Sequence, residues 1–272
     1  MLVATFVTYS RIQPAELYHV SHEGLRGGFS RAVVELNFPD AIIAIPLALL
    51  ALDVLGRSRG AVAATVVAIA ACLVTAFPGV VDRDDLDAKA VNVVPVVGVA
   101  IVVALLVKAW PRLGWTRVRL PGDPLRVVLG VVIAIGAIPY YFADLGFYAP
   151  DPIRADEPTP GEDIASVHLG SHEGMDGALL AVAALLLTRL TPSFNSRRLA
   201  AATSTILALY LAYGVANLIQ DDWLEQVVKR GWTDHRIASF VAPQLSVRWL
   251  IVIVVGIALE LLWFRRERSA GG

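Results

Sequence analysis

The stretch VNVVPVVGVAIVVALLV, residues 91–107, contains no charged side chain from end to end. At about 1.5 Å of rise per residue, a helix of that length crosses most of the roughly 30 Å hydrocarbon layer of a bilayer. Residues 60–80 form a second uncharged run. A soluble domain would interleave core and surface residues, with about a quarter of them charged. Here 17% are charged and 56% are hydrophobic, with a mean hydropathy of +0.63. The chain reads as an all-α polytopic integral membrane protein of the cell (plasma) membrane, a single transmembrane domain over 1–272.

Working outward from that run, seven spans are expected at about 40–56, 61–81, 91–108, 127–147, 174–190, 200–219 and 247–264. Residues 1–39 are read as an external N-terminal motif with an interfacial helix, and 265–272 as a basic tail. Orientation follows from Lys and Arg. Residues 57–60, 108–126, 189–198 and the tail hold 13 of the 23 basic residues, although they are much the shorter set of connections. Basic-rich short loops stay cytoplasmic, so the N-terminus is expected outside and the C-terminus inside. The loop 108–126, with Arg112, Arg117, Arg119 and Arg126, suits anionic lipid headgroups.

Cys72 is the single cysteine, so no intrachain disulfide and no cysteine-based metal site is expected. Residues 1–9 are apolar but lack the basic start and cleavage site of a signal peptide. No phosphate-binding glycine loop, nucleophile elbow or nucleic-acid signature is present.

The polar residues are less evenly spread. The tetrapeptide S-H-E-G occurs at 21–24 and again at 171–174, and a further histidine precedes each copy, His19 and His168. All five histidines fall in the segments expected outside. Imidazoles three or four residues apart can share one helix face and bind one metal. His19, His22, His168 and His172 are therefore the candidate metal ligands, and Glu23 and Glu173 the candidate catalytic carboxylates. A structural reading competes: Ser171 could cap the following helix, with Glu173 favouring its positive end. Capping has no use for the histidines. The span from 174 reaches Arg189 early, which points to a motif dipping into the outer leaflet, where ionisable groups are costly unless paired or metal-bound. The two copies have the form of parallel internal repeats, each a motif followed by a descending helix.

Other polar groups collect at the same end. Tyr210, Tyr213, Asn217, Gln220 and Asp221 form a stripe at helical spacing. Asp144 lies before the end of its apolar run, and Asp234 adjoins His235. Asp144, Tyr213, Asn217, Asp221, Asp234 and His235 are candidates for a supporting shell or proton relay. Trp223, Leu224, Val227 and Val228 are expected to lie on the outer surface.

These features fit a metal-dependent membrane enzyme, a hydrolase or other lipid-modifying activity, acting on a lipid or lipid-linked substrate. Zinc is the first metal, with iron or manganese as alternatives. Two other classes remain: a cation or proton transporter or sensor, and a haem-binding electron-transfer subunit. Inner span halves made of Ala, Val, Leu and Ile argue against a through-path. Histidines confined to one end argue against axial haem ligation.

Overall fold

The computed structural model describes residues 2–17, 20–77, 80–81, 87–113, 119–147, 167–241 and 244–270. Among them the chain is helical, with one isolated bridge between Leu17 and Leu169. Five helical segments are long and apolar enough to cross a membrane: Arg59–Ala76, Ala90–Arg112, Glu173–Ser193, Arg197–Val228 and Val247–Ser269. Two bent pairs bring the count to seven if each is one span. The architecture is that of a polytopic all-α membrane protein.

The first bent pair is α2 (Gly24–Glu35) with α3 (Asp40–Leu55), at 46°. It follows α1 (Leu2–Arg11), an N-terminal helix the sequence reading did not anticipate. Then come α4 (Arg59–Leu73) and α5 (Val93–Ala109). The second pair is α6 (Asp123–Gly136) with α7 (Ile138–Asp144), at 55°. Pro139 stands in the first turn of α7. A proline ring offers no N–H to the preceding turn, so the chain breaks there and restarts. The remaining helices are α8 (Glu173–Leu187), α9 (Arg197–Trp223), α10 (Val247–Leu259) and α11 (Arg265–Ala270).

Two differences from expectation matter. A 3₁₀ turn, Thr188–Ser193, continues α8, so the fifth span has 21 residues and is not short. At the other end of the hairpin, α9 does not stop near 219. It runs on through a π-helical turn, Leu224–Val228, with Val228 buried and Glu225 turned inward. The surface patch expected there is the top of a helix.

Packing centres on the α8–α9 hairpin. A Cβ on Gly177 would sit 2.5 Å from the Gly214 carbonyl oxygen, so two glycines let these backbones approach. α2 is turned inside out for a water-facing helix. Leu25 and Phe29 are exposed, whereas Arg31 and Glu35 are buried and paired at 2.9 Å. Its mixed composition is explained by that internal ion pair.

The opposite end of the bundle is held by charge. Arg126, expected among headgroup contacts, is buried and paired with Glu267, while Arg189 meets Asp123 at 2.8 Å and Arg268 meets Glu260 at 2.7 Å. Asp53 on α3 accepts from the amides of Asn195 and Ser196 at 2.7 and 2.9 Å and so caps the approach to α9.

Candidate metal centre

His172 is the N-cap of α8 and has an extended backbone. The expected cap from Ser171 is not made. Ser171 Oγ instead accepts from Arg31, and its amide donates to the Tyr9 hydroxyl at 2.8 Å. The free amides of α8 turn to α9: Gly174 N–H donates to Asp221 Oδ2 at 2.7 Å. Residue 174 has no side chain to block that approach.

This contact places the His172 ring over Asp221. Nε2 lies 3.0 Å from the His168 carbonyl oxygen. A carbonyl only accepts, so Nε2 carries the proton, and Nδ1 faces the carboxylate, 3.7 Å from Asp221 Oδ2. The His168 ring stacks on His172 at 4.2 Å, and Tyr140 lies on it at 4.9 Å. The imidazole is in contact with both rings.

Glu225 completes the group from the π turn, four residues past Asp221 and so on the same helix face. One ligand atom from each of His172, Asp221 and Glu225 lies within 4.8 Å of the others. The three residues are 4%, 5% and 3% exposed. Glu225 Oε1 pairs with Lys229 at 3.0 Å, whereas Oε2 has no hydrogen-bond partner. Asn217 Oδ1 and Gln220 Oε1, two more buried acceptors on α9, also lack donors. A buried acceptor without a donor is what a cation or bound water would satisfy.

Electrostatics follow from this packing. Burial alone would pull the His172 ring toward neutrality. The Asp221 carboxylate beside it, reinforced by Glu225, outweighs that and lifts its pKa to about 9. The same two carboxylates would draw a metal ion to Nδ1 once the proton leaves. One nitrogen and two carboxylates suit zinc, and also iron or manganese. With bonds of about 2.0–2.2 Å, ligand atoms end about 3–4 Å apart, so closure asks for side-chain shifts of roughly 1 Å.

The other anticipated residues fall into place around this group or away from it. His19 lies outside the described residues. His22 is half-buried and pairs with Asp87 at 2.8 Å, a carboxylate that Ser21 also holds through its amide and hydroxyl. Glu23 is exposed at the N-cap of α2. The two S-H-E-G copies do lie at one end, joined by the Leu17–Leu169 bridge and the Arg31–Ser171 bond. Their histidines face different partners, and the metal-capable group includes only the second copy's.

The Glu173 carboxylate accepts from Ser239 at 3.4 Å, and its carbonyl lies 3.5 Å from Asn217 Nδ2. Asp144 is buried, within electrostatic reach of His172, Arg31 and Glu35. Tyr213 donates to the Val241 carbonyl at 3.3 Å. Asp234 and His235 are exposed in the segment before α10. Glu225 is the residue the sequence reading missed. Its signal was present as Asp221-x-x-x-Glu225, two carboxylates one helical turn apart. Searches of family models, curated proteins and solved structures find no match to this chain.

Proposed function

We propose that His172, Asp221 and Glu225 hold a divalent transition metal, zinc first and iron or manganese by the same donor set. On this reading the protein is a metal-dependent membrane enzyme acting on a lipid or lipid-linked substrate. The supporting observation is the convergence of the three ligand atoms within 4.8 Å around a ring whose far nitrogen is already fixed. Three protein ligands leave a position for water, which a bound metal acidifies toward neutrality. Glu173, adjoining His172 and outside the ligand set, is the candidate proton acceptor. Asp221 also caps α8, a purely structural duty. Glu225 pairs with Lys229 through Oε1 alone, and its buried Oε2, which has no hydrogen-bond partner, is what a bound cation would satisfy.

A proton-handling role is the second reading, favoured by the same His172–Asp221 pair. Transport across the bundle would need this chemistry to continue along α9. Between Asn217 and Ser204 the buried residues Leu207, Ala208, Leu211 and Ala212 are apolar, broken only by Gly214. That favours the enzyme.

Metal analysis of the purified protein tests the proposal, with His172→Ala and Glu225→Gln alongside. The expected result is a stoichiometric transition metal in the parent and its loss in both variants. A parent that binds none after incubation with zinc, iron or manganese overturns the reading.

A further inference from the structure

Phe38, Ile42, Leu209, Tyr213, Trp249 and Ile253 line an apolar groove of about 570 Å³ between α3, α9 and α10. That is the size of a small-molecule site, roughly 300–1,000 Å³. Ile253 and Leu245 are exposed at its lining, so it opens sideways on the face of two membrane-length helices. The medium that meets such an opening is hydrocarbon.

The groove also has a polar end. Tyr213 in its wall reaches the Val241 carbonyl and contacts Asn217 at 3.4 Å. Two residues before Val241, Ser239 donates to the Glu173 carboxylate. The lining thus leads by hydrogen bonds to Glu173, beside His172. The group that the lining reaches is a carboxylate, Glu173. A carboxylate at that place repels a phosphate headgroup and attracts a protonated amine.

We propose that this groove is the chain-binding subsite for an amine-bearing lipid, its hydrocarbon chain along α9 and α10 and its ammonium group at Glu173. The proposal rests on the metal-centre reading for what happens to the bound lipid, though not for its binding.

The test uses three photoactivatable amphiphiles with one chain and different heads: a long-chain alkylamine, the alcohol and the alkyl phosphate. Each is added to the full-length protein in nanodiscs of neutral lipid, with cross-links mapped and metal content measured on the same samples. The amine is expected to label peptides containing Leu209, Tyr213 and Trp249, and to outcompete the phosphate by roughly tenfold or more. Ile253→Trp, which fills the groove from its exposed edge, should abolish that labelling and leave metal content unchanged. Glu173→Gln should reduce the amine to the level of the alcohol. Equal labelling by all three heads, or labelling spread over the lipid-facing helices, overturns the proposal. Specific amine labelling of a protein that binds no metal would instead sink the metal reading and leave the groove assignment standing.

Discussion

Gly174 and Asp221 touch from two helices: the glycine amide donates to Asp221 Oδ2 at 2.7 Å, and a Cβ on the glycine would lie 2.8 Å from that oxygen. The same Cβ would lie 2.5 Å from Tyr140 Cε2. Gly174→Ala is therefore expected to push Asp221 and Tyr140 off the His172 ring, at a cost of about 1–3 kcal/mol for overpacking. Thermal unfolding and zinc titration should show lower stability and weaker binding together. Gly130→Ala, where a Cβ meets nothing within 4 Å, is the control and should leave zinc binding unchanged without lowering stability.

Stability of chelator-treated protein should fall with rising pH. The folded pKa of His172, about 9, stands above its unfolded value of about 6.5. The contribution of the charged ring is thus complete below about pH 6.5 and lost as pH rises through about 9. Zinc needs Nδ1 without its proton, so the zinc-dependent gain in melting temperature should grow over the same interval. Melting curves with and without zinc, from about pH 6 to 9, check both trends. Parallel curves would show that His172 is not the shared group.

The first motif should release on acidification. Partial burial opposes the charge on Asp87, but the Ser21 hydroxyl and amide and the His22 ring hold its pKa below the ordinary 3.8. A depressed carboxylate contributes above its unfolded pKa and loses that contribution as pH falls through the folded one. Asp87→Asn should mimic this at neutral pH. A half-exposed pair is worth about 0–1 kcal/mol, so amide exchange in α1 and α2 should quicken by up to about fivefold. Unchanged exchange in those helices would mean the latch contributes nothing.

The spans were readable because an uncharged run of adequate length has few alternatives in a bilayer, and residues 91–107 became α5 within a few positions. The top of α9 was harder. Asp221, Asp222 and Glu225 look like surface residues when acids are counted as solvent-facing, yet Tyr140, Gly174 and His172 enclose them from other helices. Such enclosure depends on tertiary contacts that periodicity does not encode. The repeat of S-H-E-G pointed to the end of the bundle where His172, Asp221 and Glu225 converge. It also suggested an equivalence that the partners do not support, because Asp87 comes from the approach to α5 and Asp221 from within α9. Arg31 shows the same difficulty in reverse: its neighbours in sequence suit an interface, and its neighbours in space are Glu35 and Ser171.

All three proposed ligands belong to one helical hairpin, from His172 at the start of α8 to Glu225 past the end of α9. The ligand set is therefore complete once synthesis has passed residue 225, before α10 exists. During biogenesis the three proposed ligands can meet as soon as that hairpin enters the bilayer, before the last span is added.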